Sequence, residues 1–285
     1  MLAAILTFCG VMNSLTSCKD GDNSIVPTLP KRVSQVTTYK EDSEGYRKVQ
    51  RVTFSYDALG RIVEWKYYNV NDQNKEVFLE SMNFTYTAGR INTINCMYPH
   101  TADADTIVID SDYDLDSNGR IVKKTTYNYK YGGSKLISEP KFTLYEYDKE
   151  GHLVLFDNGD ELKKVFEWKD GELSKITHYV KGNMDLMITY EPSDVPSSIM
   201  LPVKFRNLFE WLEIQGYFGK WSRFLPAKVR EELFTAGVLT SSDEHNYSYE
   251  LVDGVVTSWY NRQNMQIISL NLSNEVKYRN TVEWK

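Results

Sequence analysis

What this chain has little of narrows its chemistry first. Three cysteines in 285 residues, at positions 9, 18 and 96, are too few and too scattered for a disulfide framework. Four histidines, His100, His152, His178 and His245, stand at no spacing that would gather a metal ion. There is no Ser nucleophile elbow, no His-Glu-x-x-His, no phosphate-cradling Gly loop and no Cys-x-x-Cys. A basic block is missing too. The 33 Lys and Arg against 39 Asp and Glu leave a net charge of −6, which argues against nucleic acid as a partner, since neutralising phosphates takes clustered cations. The apolar run from Leu2 to Val11 is about half of the roughly 20 residues a membrane-spanning helix needs. A pair of carboxylates brought together by folding survives these exclusions, because glycosidase acids carry no local motif.

Aromatic residues are abundant instead. They make up 13% of the chain, with 20 Tyr and 6 Trp, side chains suited to a pleated, half-buried sheet surface. The stretch Phe54-Ser55-Tyr56-Asp57-Ala58-Leu59-Gly60-Arg61-Ile62-Val63-Glu64-Trp65 reads as a β-hairpin. Asp57 opens the turn by accepting backbone N–H groups, and Gly60 closes it at positive φ. Variants of the same device follow at Asn83–Ile91, Tyr113–Ile121, Tyr147–Leu153, Phe166–Leu173 and Tyr249–Val256. Turn glycines at 60, 89, 119, 151 and 171 lie 29, 30, 32 and 20 residues apart, so each full period holds two strands and a return loop. Sequential hairpins pair with their neighbours, and a long twisted meander curls into a barrel or half-barrel. The fold expected over 33–285 is therefore mainly β and antiparallel. Arg51, Lys123 and Lys175 fall on its outer faces, where lipid contact would be costly, so the outer wall is expected to face water.

The amino terminus carries a second signal. Leu2 to Val11 resembles the apolar core of a secretory signal, and Leu15-Thr16-Ser17-Cys18 matches the bacterial lipobox. That resemblance implies a signal peptide over 1–17 and lipid on Cys18, with acyl chains anchoring at about 0.8 kcal/mol per buried methylene. Cys9, preceded by the bulky Phe8, is the poorer lipobox cysteine and would leave with the signal, so Cys96 would remain a lone thiol. Residues 18–32 are polar and Pro-punctuated, a flexible tether, and Asp20 and Asp22 resemble the acidic surface-export signal of Bacteroidetes lipoproteins.

Tyr-Asp, a short gap, Gly-Arg and an aliphatic residue resemble the YD repeat of Rhs-type proteins. Joined to a lipobox, the hairpins resemble a family of Bacteroidetes lipoproteins of unknown function with degenerate YD repeats and a porin-like β fold. Gly216-Tyr217-Phe218-Gly219-Lys220 and Leu225-Pro226 are similar to a segment of the same family. The resemblance implies a cell-envelope, outer-membrane location, possible surface exposure and attachment to the membrane through the lipid.

Between 203 and 237 the period changes. Phe205, Leu208, Phe209, Trp211 and Leu212 fall on a helical stripe, and Pro226 to Gly237 has Pro at a helix start and Gly at its end. Two short helices are expected there, packed on the sheet or capping a barrel end. Asp114-x-Asp116-x-Asn118-Gly119-x-Ile121 reproduces the start of a Ca²⁺ loop, yet the twelfth position is Thr125 rather than a bidentate Glu. The competing reading is an enlarged turn with solvated carboxylates; no other cofactor is implied. Tyr56, Trp65, Tyr67, Tyr68, Trp168 and Tyr179 could offer a platform for sugar rings, or pair across strands in the core. The functional expectation is a non-catalytic, envelope-anchored scaffold or binding module for a glycan or an envelope protein. A glycan hydrolase with unrecognised carboxylates and a small membrane barrel stand as alternatives.

Overall fold

The computed structural model describes residues 32–98, 107–130, 139–159, 161–197, 212 and 215–285. The expected signal peptide, Cys18, the tether up to residue 31, and most of 203–214 lie outside the described residues.

Sixteen strands follow in order. The first six are β1 (Val33–Asp42), β2 (Gly45–Tyr56), β3 (Ile62–Val70), β4 (Glu76–Thr87), β5 (Arg90–Met97) and β6 (Ile107–Leu115). Next come β7 (Ile121–Lys130), β8 (Lys141–Tyr147), β9 (Leu153–Asp157), β10 (Leu162–Lys169) and β11 (Glu172–Val180). The last are β12 (Asn183–Pro196), β13 (Phe224–Thr235), β14 (Val238–Val252), β15 (Val255–Ile267) and β16 (Leu272–Trp284). Each pairs antiparallel with its sequence neighbours, and β1 pairs with β16, so the meander closes into a barrel with no free edge.

The turns of the recurrent hairpin motif, at Gly60, Gly89, Gly119, Gly151, Gly171 and Gly254, all fall at one end. Asp57 Oδ1 accepts the N–H groups of Leu59 and Arg61 at 3.0 and 2.9 Å, and Oδ2 takes Arg61 Nε at 2.7 Å. Gly60 closes the turn at φ +80°, as its place in the motif requires. Arg61 lies over the ring of Tyr86, 4.4 Å from its centroid, and the Tyr86 hydroxyl donates to the carbonyl of Ile62 at 2.6 Å. The next unit repeats this: Asp116 holds Arg120, Arg120 covers Tyr147 at 4.4 Å, and the Tyr147 hydroxyl donates to Ile121 O at 2.6 Å. Tyr56 reaches Val33 O and Tyr249 reaches Pro226 O in the same way, at 2.7 Å each. The Tyr at the end of one strand thus fastens the start of the strand immediately before it.

The inner face at this end is packed. Phe54, Ile62, Phe84, Ile91, Tyr113, Ile121, Tyr145 and Leu153 are all buried, each at the turn end of its strand. Leu212 and residues 215–222 fill what they leave. Phe218 is fully buried against Tyr145, ring centroids 5.1 Å apart, and Leu212 is buried with it. Backbone bonds seat the segment on the barrel: Ile121 N–H donates to Tyr217 O at 2.8 Å, Lys220 N–H to Gly151 O at 2.9 Å, and Ile62 N–H to Gln215 Oε1 at 2.9 Å.

The second expected helix, from Pro226 to Gly237, is corrected. These residues form β13 and its turn, paired with β12 on one side and β14 on the other. Leu225, Val229 and Leu233 are four apart, a spacing that puts them on one face of a helix and equally on one face of a strand. Ala236 and Gly237, with φ of +50° and +77°, make a two-residue hairpin turn rather than a helix end. The first expected helix falls mostly outside the described residues; Leu212 and Gln215–Phe218 are turns.

Candidate functional site

Beyond the packed end the inner face turns polar. Alternation carries the inward side from Val229 to Glu231 on β13, and from Tyr247 to His245 and Asp243 on β14. Register sets Glu231 directly opposite Asp243, and Val229 opposite His245. On β15, Asn261 and Gln263 stand opposite Tyr247 and His245. Across the barrel the same face shows Gln50, Tyr67, Glu80 and Asn95, and β10 and β11 supply Lys164 and His178.

One part of this lining is internally satisfied. The Thr38 hydroxyl donates to Asn280 Oδ1 at 2.7 Å, Gln50 Nε2 donates to Thr38 Oγ1 at 2.9 Å, and the Tyr67 hydroxyl donates to Gln50 Oε1 at 3.2 Å. The rest is not. Among the described residues Asn95 Oδ1, His178 Nε2, Asp243 Oδ1 and Asn261 Oδ1 are buried without a hydrogen-bond partner. An unpaired buried polar atom costs roughly 1–3 kcal/mol, so these four are a local cost carried by the barrel interior.

The charges there are coupled. His245 Nε2 lies 3.4 Å from Asp243 Oδ2, Gln263 Nε2 donates to the same oxygen, and His245 Nδ1 shares a hydrogen bond with Asn261 at 3.1 Å. Burial pulls the Asp243 carboxyl up, but the bonds and charge of His245 and the Gln263 bond hold it below its ordinary value. Burial opposes the His245 proton, yet Asp243 raises it above the usual imidazole range. Glu231 goes the other way: burial raises it, the nearby His245 opposes that, and Asp243 adds to the rise. Burial, then the nearby Lys164 charge, pushes His178 down to about 4.

No protein-family model and no curated protein matches the sequence. Among solved structures, the barrel is similar to a porin-like protein from Bacteroides uniformis, with a TM-score of 0.59 at 13% identity over 88% of this chain and 98% of that one. A porin-like protein from Bacteroides vulgatus aligns at a TM-score of 0.46 and 12% identity, over 89% and 98% of the two chains. This chain has a porin-like β-barrel fold.

The outer wall of this porin-like barrel is charged around its circumference. Glu76 holds Lys48 and Arg51, Arg90 meets Asp114 at 2.9 Å, Lys175 meets Glu167 at 2.7 Å and Arg230 meets Glu232 at 2.8 Å. Arg262 pairs with Glu275, and Lys277 pairs with Glu41 at 2.8 Å. Arg51 and Lys175 are therefore outward, as the alternation predicts, and Lys123 lies over the outward ring of Phe142.

The sequence candidates scatter. Asp114 is engaged by Arg90 outside the barrel, while Asp116 spends both oxygens on its turn and Arg120; Asn118 contributes its N–H to that turn. Of the aromatic residues, Tyr56, Trp65, Tyr67 and Trp168 belong to or pack on the core, whereas Tyr68 stacks outside under Arg51 at 4.1 Å. His152 stands where the other turns carry Arg and is buried, bonded to Asp148 at 3.0 Å and stacked on Trp168 at 4.5 Å. Asp148, Glu150 and His152 are the one group whose ligand atoms lie within 4.8 Å of one another among the described residues, but Asp148 and His152 already hold the turn. Sequence reasoning missed Glu231, Asp243 and the role of His245. The available signal was Asp243-x-His245-x-Tyr247, polar and aromatic groups at every second position of one strand.

Proposed function

We infer that this chain is an envelope-tethered, non-catalytic binding module that takes a polar ligand, a glycan, into the far half of the barrel lumen. The observation that carries this reading is the contrast along the lumen. Leu212 and residues 215–222 fill one end, while further along the inner face Asn95, His178, Asp243 and Asn261 each carry a buried polar atom with no partner. Amides, carboxylates and a histidine next to aromatic rings match the hydroxyls and the apolar ring faces of a sugar. The ion pairs ringing the outer wall argue against a lipid-spanning pore, since a Lys or Arg facing lipid costs about 2–4 kcal/mol at the bilayer midplane. The chain enters the barrel at Arg32, bonded to Lys285 at the packed end.

The test is glycan-array profiling of the full chain in detergent, repeated with Asn261→Trp to fill the chamber. Binding of hydroxyl-rich glycans that the Trp variant loses is the expected result. Binding that persists in a folded Asn261→Trp protein sinks the lumen reading. One observation favours a hydrolase as the second reading: Glu231 and Asp243 face each other with proton affinities pushed apart, the pattern of an acid and a base. Release of reducing sugar that Glu231→Gln abolishes would establish it.

A further inference from the structure

The charges that ring the outer wall stop at one level on four neighbouring strands. Register places Glu232, Ser242, Gln266 and Ser273 in a single row across β13 to β16. Two residues behind it, Arg230, Glu244, Asn264 and Glu275 form a parallel row, tied down by the Arg230–Glu232 and Arg262–Glu275 ion pairs. Beyond the first row lie the two hairpin tips, residues 233–241 and 267–272, and neither contains a charged side chain. Leu233, Val238, Ile268, Leu270 and Leu272 stand there instead, each between 44 and 65% exposed. On one flank β1 pairs with β16 only as far as Tyr278, so the β15–β16 tip stands clear of it. On the other flank the β11–β12 turn carries the exposed Lys181, whose long stem can lift its ammonium to a headgroup phosphate.

Apolar surface left open in this way marks an interaction site. Three observations select lipid as the partner. The change from paired charge to no charge is level across four strands, which is what a planar boundary between water and hydrocarbon requires. From the row to the β13–β14 turn is about 10 Å along the strand, the depth to which apolar faces enter the headgroup and acyl boundary. A separate region of the chain, the lipobox at Cys18, carries the expectation of a membrane nearby. Fourteen residues separate Cys18 from Arg32, at most about 50 Å of chain, against about 40 Å along the twelve residues of β13. An anchor at Cys18 is therefore compatible with the lip reaching the same leaflet.

We propose that the β13–β14 and β15–β16 tips form a lip that dips into a lipid surface, with Val238, Ile268, Leu270 and Leu272 entering the acyl region. The charged wall behind the lip stays in water. The lip adds a second attachment to whatever the amino terminus supplies, and stable anchoring takes two signals. This contact is independent of what the lumen binds.

The test places a nitrobenzoxadiazole probe on single cysteines in the full chain carrying Cys9→Ser, Cys18→Ser and Cys96→Ser. The labelled positions are Val238→Cys, Leu270→Cys and, at the opposite rim, Val252→Cys. Phosphatidylcholine vesicles with nitroxide-labelled acyl chains report contact with hydrocarbon. Probes at 238 and 270 should be quenched about fivefold more than the probe at 252. Salt at about 1 M, where the screening length is about 3 Å, should leave that ratio unchanged because the lip carries no charge. The apolar run from Leu2 to Val11 can hold the chain on a vesicle, but it gives no reason for 238 and 270 to meet acyl chains. Ile268→Asp with Leu270→Asp should abolish quenching at 238, while Leu251→Asp, exposed on the opposite rim, should leave it within about twofold. Circular dichroism checks that each variant keeps its strands, and Cys96→Val replaces Cys96→Ser should the latter not fold. Quenching that is absent at 238 and 270, equal at 252, or intact in the folded double Asp variant overturns the lip. A blue shift at 238 that appears without vesicles and grows with protein concentration overturns lipid in favour of a second copy of this chain. Loss of quenching at high salt overturns the apolar contact. The glycan array is read separately, so failure here leaves the lumen reading standing.

Discussion

The two ends of this barrel are made of the same strands and behave as different materials. At the turn-motif end, hydroxyls, carboxylates and guanidinium groups are spent on the backbone of the neighbouring hairpin, and Phe218 sits among apolar side chains at 0% exposure. At the other end the rim is exposed and apolar, with Val238, Leu270 and Leu272 at 65, 63 and 57%, and the lumen behind it carries unpaired polar atoms. Residues that complete the packing of one end have no counterpart at the other. Stability is concentrated where the repeats interlock, and binding capacity is left where they do not. Such a division is physically natural, since polar groups aimed at a guest cannot also be satisfied by the protein.

Four measurements would break or sharpen this contrast. The largest effect belongs to Phe218→Ala, which empties the packed end: a loss of about 3–5 kcal/mol in denaturant titration, against less than about 0.5 kcal/mol for Val238→Ala at the rim. Similar losses at both sites would end the distinction.

Acid should act from the polar side. The His178 proton affinity falls from 6.5 to about 4 in the fold, so the neutral form contributes stability that is fully present above 6.5. As pH drops from 6.5 to about 4 the unfolded chain takes up a proton that the folded chain refuses, and up to about 3 kcal/mol is lost. Thermal melts across that window should show the loss, and His178→Gln should flatten it.

Two glycines with nearly the same backbone give the next comparison. Gly219 and Gly237 have φ of +78° and +77°, but a Cβ on Gly219 would lie 2.3 Å from the carbonyl oxygen of Gly151, whereas Gly237 has open space. Gly237→Ala should cost only the left-handed penalty, about 1–2 kcal/mol, and Gly219→Ala measurably more, by displacing residues 215–222. Equal melting points would mean that this segment does not need its present seat. The smallest effect is Tyr86→Phe, which takes the hydroxyl from Ile62 O and Gln215 and should lower stability by about 1 kcal/mol. No change there would show that the Tyr-to-carbonyl fastening adds nothing to the stack.

Much of the barrel was legible because its information is local. Asp57, Gly60 and Arg61 lie within five residues and define their turn through bonds among themselves. The helix expected from Pro226 to Gly237 failed because spacing by four residues fits both periods, and the choice was made by pairing with β12 and with β14, which follows directly across the Ala236-Gly237 turn. Asp114, Asp116 and Asn118 look like a metal loop by spacing; Arg90 and Arg120 occupy the two carboxylates. Cys18 and its tether rest on sequence alone.

The sequence by itself determined the hairpins, their turn chemistry and the strand order of a meander, because each of these depends on residues a few positions apart. Tertiary structure alone decided that the sheet closes, that residues 215–222 pack into one end, and that Glu231 comes to face Asp243 on the inner wall. Closure matches strand 1 to strand 16 across 250 residues, and which polar groups then go unsatisfied depends on what the opposite wall supplies. No window of sequence contains that wall.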